Sequence, residues 1–430
     1  MGCCAAGALA ISEPLFSSGL TTDNTGEHMI YIGVDWASDH HDVCVMAEDG
    51  SVLTECRISD TLDGVNRLRS LASHHDDQSG AVAVGIETAH GLMPRALVVA
   101  GYEVYAVNPL AASRYRERHT VSGAKSDAAD ARMLANLVRT DRLNHRRYVP
   151  DSDLVEELRV LTRSHKDLIW AKQRHLNQLR TALRQYYPGI HVAFPELSSE
   201  ALMVLRRAPT PAQGRTLTAA QILAALRQGG RQRRLRERAD AVREALRLPQ
   251  METSPALTSA YGRTVSGEVA VLIALGDEIA SLEAHVCQRF EQHSDAPILS
   301  SMPGLASVLG ARLLAEFGDS PSRYVDAKAR KGYAGTAPIT RASGTKTLVL
   351  VRRARNNRLV DACSRWAFSS LTSSPGARRC YDAKRRRGQS HNEALRALAN
   401  RWVGILHGCL QHHQTYSEQV AWPVPSEVAA

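Results

Sequence analysis

Four acidic side chains in the first third of this 430-residue sequence are placed where a carboxylate could bind a metal ion. Asp35 ends one nearly continuous apolar run, and Glu87 ends another. A carboxylate beside so much apolar surface is costly unless it is paired or binds a cation. Asp127 and Asp130 are three residues apart in a predicted helix, so both side chains project from one face.

If the four acids meet, their mutual repulsion is relieved by divalent cations bound through oxygen. Two such ions clamp the attacking and leaving oxygens of a phosphodiester in line, which is the chemistry of metal-dependent nucleases. Each acid alone has a simpler interpretation, because an Asp after a strand is commonly a turn residue, and Asp127 and Asp130 could cap a helix. Lys125, just before them, would be either a phosphate contact or a surface charge.

Ser343 is the second candidate for chemistry. It lies in a segment with Gly332, Gly335 and Gly344, where the backbone is flexible. A serine in a basic loop can attack a phosphodiester if a base takes its proton. On composition alone, however, a Ser-Gly pair is more commonly a turn. The surrounding cations are Arg341, Lys346, Arg352, Arg353 and Arg355.

The elements that must position the acids follow an α/β order from Met29 to about Asp141. Three strands form a meander, with a turn at Asp49-Gly50, and are followed by helix, strand, helix, strand and helix. This is the order of a ribonuclease-H-like (RuvC-like) domain with a mixed five-stranded sheet. In that fold, the first and fourth strands are neighbours and the last helix packs across them. The order therefore predicts that the four acids converge.

Two long amphipathic helices follow, over 154–183 and 269–290, with near-heptad apolar spacing. They predict an antiparallel arm or a dimerisation coiled coil. The insert between them contains 226–238, with six arginines and one glutamate, which is either a solvated helix face or a contact to a nucleic-acid backbone. The arginines singled out for nucleic-acid binding are Arg231, Arg233 and Arg234.

The C-terminal part begins at about Pro297 and is mainly α-helical. Residues 302–319 look like a helix-hairpin-helix, whose glycine turn would meet a DNA phosphate. Ala306 replaces the usual second glycine, so a plain helical hairpin is the alternative. A basic run farther along is predicted to contact DNA or RNA, and consists of Lys384, Arg385, Arg386 and Arg387.

Composition limits the class of protein. The 53 Lys and Arg outnumber the 44 Asp and Glu, and the net charge of +9 favours polyanionic partners. The sequence has no run near the roughly 18 apolar residues of a membrane span, which excludes an integral membrane protein. Its eight cysteines include no C-x-x-C pair, which excludes a finger-type zinc site and fits a reducing cytoplasm.

These patterns predict five segments. They are a disordered leader (1–28), the RuvC-like catalytic domain (29–150), a helical or coiled-coil region with the arginine-rich insert (151–296), a domain with the hairpin and the serine (297–415), and a disordered tail (416–430).

Five motifs in order carry a family resemblance. They are GVDWA (33–37), GIETAHG (85–91), KSDAADARMLA (125–135), PGLASVLGARLLAEFGD (303–319) and YAGTAPITRASG (333–344). Together they resemble the DEDD-type insertion-sequence transposases, the "IS one-ten" family, over about Met29 to Cys409.

The resemblance implies that Asp35, Glu87, Asp127 and Asp130 bind Mg²⁺, with two ions, and that Ser343 is the nucleophile that becomes joined to DNA. It further implies recombination guided by a bridge RNA, with DNA as substrate. Dimers and tetramers are implied, in which the acids of one subunit complete a site with the serine of another. The expected location is the bacterial cytoplasm, at the nucleoid, without a membrane.

Three alternatives stay open. A junction-resolving metal nuclease would hydrolyse DNA with water and would not need Ser343 or its basic loop. A site-specific DNA invertase would use the same residues. A non-catalytic nucleic-acid-binding remnant of an element is the third, and the intact acids argue against it.

Overall fold

The structure is a computed structural model that describes residues 29–75, 82–88, 91–119, 126–320 and 323–423. The leader 1–28, Lys125 and residues 424–430 lie outside the described part. The chain divides into two compact units, with the boundary after Pro150.

The N-terminal unit is built on a five-stranded mixed sheet of order β3-β2-β1-β4-β5. The β1–β2 and β2–β3 pairs are antiparallel, and the β1–β4 and β4–β5 pairs are parallel. This is the predicted strand order, so the ribonuclease-H-like fold is confirmed. The strands are β1 (Ile30–Trp36), β2 (His40–Met46), β3 (Val52–Ser59), β4 (Val82–Ile86) and β5 (Glu103–Ala106).

Helices cover both faces of this sheet, which explains why β1 and β4 are almost wholly apolar. One face packs on α1 (Leu62–His75) and α2 (Leu92–Val99), and the other packs on α4 (Asp127–Asp141). Helix α3 (Pro109–His119) packs on α4 and was not expected from the sequence. Its apolar residues form no continuous stripe, so helical periodicity gives no signal there.

The C-terminal unit is mainly helical, and the first of its helices form a long pair with an insert. These helices are α5 (Asp153–Tyr186), α6 (Pro188–Ala193), α7 (Ser199–Arg207), α8 (Pro211–Thr216), α9 (Ala219–Gln228), α10 (Leu235–Arg247) and α11 (Pro255–Phe290). Helices α5 and α11 each span about 50 Å. Val155 shares a core with Val286, and Leu183 shares one with Val265, so the two helices run antiparallel within one chain.

The remaining elements surround a second core. They are α12 (Ala296–Ser301), α13 (Ser307–Phe317), α14 (Ala327–Tyr333), β6 (Ile339–Ser343), β7 (Lys346–Leu350), α15 (Asn357–Ser369), α16 (Pro375–Arg386), α17 (His391–Gln411) and α18 (Glu418–Ala421). Trp366 and Trp402 stack at its centre, with ring centroids 5.3 Å apart. Among the described residues, no helix combines the length and apolarity that crossing a membrane requires.

The chain after residue 416, where the sequence indicated disorder, is ordered as far as Pro423. Trp422 is buried and packs edge-on against Trp402. The Glu418 carboxylate accepts hydrogen bonds from the Ser374 hydroxyl and the Gly376 backbone N–H. The segment is held by two side chains, Trp422 and Glu418. Two residues in so short a segment make no periodic apolar pattern, so the sequence gives no sign of this order.

Candidate active site

Asp35 lies near the carboxyl end of β1, on the face of the sheet that α4 covers. Side chains two residues apart on a strand share a face. A Cβ at Gly33 would lie 1.9 Å from the backbone oxygen of Ala131 in α4, so this face of β1 is in direct contact with the helix. Asp35 projects from the same face, just beyond that contact.

Glu87 follows β4 directly and belongs to the same edge of the sheet. In the parallel β1–β4 pair, Gly33 is opposite Gly85 and Val34 is opposite Ile86. Continuing this register puts Glu87 beside Asp35, on strands about 4.8 Å apart. The two acids therefore share both an edge and a face.

Helix α4 brings the other two acids to this face in its first turn. Ser126 caps the helix, since its hydroxyl accepts from the Ala129 N–H at 3.2 Å, so Asp127 is not the cap. Asp127 is exposed, whereas Asp130 is 3% exposed. Arg116 of α3 donates to Asp130 across 2.7 Å and neutralises its charge.

A cation beside the acids was missed by sequence reasoning. Asp42 is the cross-strand partner of Asp35, and the Arg57 guanidinium donates to both oxygens of Asp42, at 3.2 and 2.9 Å. This hydrogen bonding raises the pKa of Arg57, and the negative charges of Asp127 and Asp39 add to the effect. The turn at Asp49-Gly50 fixes the register of β2 and β3, so the pairing could have been found from the sequence.

The four acids are the right kind of ligand for a hard divalent cation, since Mg²⁺ prefers carboxylate oxygens. Among the residues that the structure describes, no three His, Cys, Asp or Glu side chains stand close enough to hold a metal ion. The four acids thus share one face without forming a closed cage. For Asp130 to ligate a cation, its contact with Arg116 would have to be shared or released.

Ser343 is the last residue of β6, at the tip of a two-stranded hairpin. Gly344 follows with a φ of +57°, and Lys346 is the cross-strand partner of Ser343. From Arg341 to Val349, every residue of the hairpin is exposed. The serine is thus presented to solvent on a narrow arm rather than held in a pocket.

The cations predicted around the serine are distributed along this arm and behind it. Arg341 and Lys346 lie on the arm and are exposed, as is Arg353 just after it. Arg352 is half-buried. The side chain of Arg355 lies against Gly335.

The basic run at the end of α16 is largely exposed. It contains Lys384, Arg385 and Arg386, with Arg387 as the C-cap. Arg385 donates to the backbone oxygen of Gln389, and Lys384 is half-buried.

The arginines of the insert divide into two groups. Arg231 donates to Glu200 at 3.0 Å, and Arg238 stacks over the Phe194 ring. These two contacts hold the insert together. Arg233 and Arg234 are exposed, and Arg234 makes one long ion pair with Glu237, at 3.9 Å.

The hairpin between α12 and α13 turns its backbone inward. Gly304 has a φ of +78°, and a Cβ there would lie 2.6 Å from the Ser370 backbone nitrogen. The backbone oxygen of Pro303 accepts from the Trp366 indole N–H at 3.0 Å. These contacts favour the alternative of a plain helical hairpin at this turn.

Comparison with known proteins agrees with these features. Residues 32–188 match a DEDD-type model described as transposase, and residues 296–382 match one described as the transposase IS116/IS110/IS902 family. The chain is 42% identical to the mini-circle putative transposase for IS117 of Streptomyces coelicolor, over 93% of this chain and 98% of the relative. It is 30% identical to the insertion element IS116 uncharacterized 44.8 kDa protein of Streptomyces clavuligerus, over 92% and 98%.

The match at the N-terminal unit covers Asp35, Glu87, Asp127 and Asp130, and the second match covers Ser343. A DEDD domain implies dependence on a divalent metal ion in general. On the identity and coverage of its relatives, the chain belongs to the IS110 family of insertion-sequence transposases and is a DNA transposase.

Proposed function

We propose that this transposase cuts and exchanges DNA strands with Mg²⁺ held by Asp35, Glu87, Asp127 and Asp130, and with Ser343 as nucleophile. The observation that carries the proposal is the shared position of the first two acids. They follow neighbouring parallel strands on the one face that α4 crosses, and α4 carries the other two in its first turn.

Bound Mg²⁺ would polarise the scissile phosphate and stabilise charge on its oxygens. The acids hold their positions through the fold, since the close approach of α4 to β1 fixes the helix over the sheet edge. Arg57, bonded to Asp42 beside Asp35, keeps a positive charge at this edge and limits repulsion among the carboxylates.

In the serine step, the Ser343 Oγ attacks phosphorus and forms a phosphoester bond. The bond from phosphorus to a deoxyribose oxygen breaks, and that oxygen gains a proton as Oγ loses its own. The energy of the phosphodiester is conserved, so a deoxyribose hydroxyl of another strand can attack the adduct and release the serine. Lys346, cross-strand from Ser343, and Arg341 supply positive charge for the transition state.

The exposure of the hairpin supports a site shared between subunits. An isolated two-stranded hairpin is marginally stable in water, and electrostatic catalysis needs a site from which water is excluded. We propose that the acids of one subunit enclose the serine of another in a dimer or tetramer.

We also propose that a bridge RNA guides the enzyme, in the bacterial cytoplasm at the nucleoid. Support comes from the net charge of +9 and from the exposed Arg233 and Arg234 of the insert. Sequencing the RNA that copurifies with the protein should give reads from DNA flanking its gene. Random cellular RNA would contradict guidance.

The acids are tested by Asp35→Asn and Glu87→Gln. Each should lower Mg²⁺-dependent strand cleavage by about 10³-fold, with an unchanged melting temperature. The matched control is Asp63→Asn, an exposed acid in the first turn of α1, whose helix covers the opposite face. Full cleavage by either site variant would remove the metal half of the proposal.

The serine is tested by trapping denaturant-resistant protein–DNA adducts on labelled DNA. Ser343→Ala should form none, while Thr345→Ala, which removes another exposed hydroxyl of the same turn, should form them normally. An adduct in Ser343→Ala would remove the serine from the mechanism. Cleavage without any adduct in the wild type would instead indicate a junction nuclease that uses water.

A further inference from the structure

A cleft lies behind the hairpin that carries Ser343, between the base of β7 and the helices α16 and α17. Its volume is about 460 Å³, within the range of pockets that bind small molecules. Residues of β7 line one side, and Lys384, Gln389 and Arg396 line the other. Arg352, just after β7, also lines it.

Three of the cations in this cleft make no close ion pair with an acid. Within the described part of the chain, Arg352, Lys384 and Arg396 make no ion pair within 4 Å. Glu393 is the acid in the lining. Its carboxylate accepts from the backbone N–H and hydroxyl of Ser390 at the start of α17, and the charge of Arg396 also acts on it at longer range. Four cations and one acid line the cleft, and this excess of positive charge favours a bound anion.

Two polar atoms at this cleft are buried and lack a hydrogen-bond partner. They are the Nε of Arg352 and the amide oxygen Oε1 of Gln389. A buried polar atom without a partner is unfavourable, so a ligand that pairs with it binds more tightly. The Gln389 amide oxygen therefore lacks a hydrogen-bond donor, and the Arg352 Nε–H lacks an acceptor.

A nucleotide supplies both groups, because its phosphate oxygens accept hydrogen bonds and the amino group on a base edge donates one. We propose that the cleft binds one phosphate of the DNA strand attacked by Ser343, with the edge of the adjacent base at Gln389. This inference rests on the proposed function, and it adds a contact for the strand.

The hairpin sets the distance between the two sites. The Ile339–Leu350 pair lies at its base, where Leu350 lines the cleft, and the Ser343–Lys346 pair lies at its tip. Four residues of strand span about 13 Å. The cleft is therefore separated from the serine by about the length of the arm, and one bound strand could contact both.

The test is binding of the full-length protein to a fluorescent DNA duplex of about 30 base pairs, across a range of salt concentrations. Arg396→Gln should weaken binding about tenfold and lower the slope of log affinity against log salt by about 1, since one phosphate contact is lost. Gln389→Leu should weaken binding without changing the slope, because it removes no charge.

The matched control is Arg263→Gln, an exposed arginine of α11 outside the cleft, which should change neither quantity. Melting temperatures show that the variants fold. If Arg396→Gln leaves the slope unchanged while the wild type binds duplex with normal salt dependence, the inference fails and the proposed function stands. The same titration with single-stranded RNA of equal length is the second comparison. If Arg396→Gln weakens binding to this RNA and not to the DNA duplex, the inference is also overturned. No DNA binding by the wild type would refute the proposed function itself.

Discussion

The two regions with chemistry differ in how the chain holds them. Two acids of the N-terminal unit lie at the ends of buried strands, and the other two lie in α4, whose backbone is in direct contact with β1. Ser343 lies at the tip of an exposed hairpin, with a glycine of positive φ beside it. One half of the proposed site is thus part of a core, and the other is an arm.

This difference separates stability from activity. Substitutions that disturb the sheet under α4 should unfold the N-terminal unit, since the same contacts support the fold and the acids. Substitutions on the arm should change activity and leave the fold intact. Gly33→Ala and Gly344→Ala test this separation directly.

The largest effect is expected for Gly33→Ala. The added Cβ would lie 1.9 Å from the Ala131 oxygen and 2.4 Å from the Ala135 nitrogen, and both are backbone atoms that cannot rotate away. We expect a loss of at least about 3 kcal/mol in the free energy of unfolding, because α4 must move off the sheet. Urea unfolding monitored by circular dichroism measures it.

The matched control is Gly267→Ala in α11, where an added Cβ meets nothing within 4 Å. It should be neutral or stabilising, because alanine favours a helix over glycine. Equal stability of Gly33→Ala and wild type would show that α4 does not depend on this contact.

The sequence predicted the first region better than the second, for a physical reason. Buried strands leave continuous apolar runs, and the element order predicts that the acids that end those runs lie on neighbouring strands. The structure adds the register, in which Gly33 is opposite Gly85. The serine has no such signal, since a Ser-Gly turn is common and only the family resemblance singled it out.

Contacts between distant segments were invisible in the sequence. Helix α3, which supplies Arg116 to Asp130, lacks an apolar stripe. The cleft behind the hairpin combines Arg352 with Arg396, which are 44 positions apart and belong to different elements. Such convergence is set by packing and has no local pattern to reveal it.

A buried ion pair in the C-terminal unit gives the second prediction. Arg163 of α5 donates to both oxygens of Glu316 in α13, at 2.8 and 2.9 Å, and the Glu316 side chain is 4% exposed. Arg163→Met leaves this carboxylate buried with less compensation and should cost about 3 kcal/mol. The control is Arg378→Met, which breaks the exposed pair with Asp382 and should cost under about 0.5 kcal/mol. Similar losses in both would show that burial does not decide the strength of these pairs.

The Glu316 carboxylate also predicts how the stability of the protein depends on pH. Burial would raise the pKa of Glu316, but hydrogen bonds from Arg163 and Asn356 outweigh it and lower the pKa below its ordinary value of 4.5. The unfolded chain therefore takes up the proton first, so this stabilisation is complete above pH 4.5 and is lost as the pH falls below it. Urea midpoints of wild type and Glu316→Gln should converge as the pH is lowered from about 6 to 3.5. A constant difference across this range would contradict the assignment.

The smallest effect on stability, with a larger one on activity, is expected for Gly344→Ala. An added Cβ meets nothing within 4 Å, so the cost comes only from the φ of +57°, about 1 kcal/mol, and it is local to an exposed turn. The melting temperature should stay unchanged because the hairpin contributes little to any core.

Adduct formation by Ser343 should fall in Gly344→Ala, because the turn relaxes away from this backbone conformation and moves the serine relative to Lys346. Thr345→Ala, at the next position, keeps the glycine and should form adducts at the wild-type rate. If Gly344→Ala were as active as wild type, the geometry of the arm would not matter for the reaction, and enclosure by a partner subunit would have to orient the serine alone.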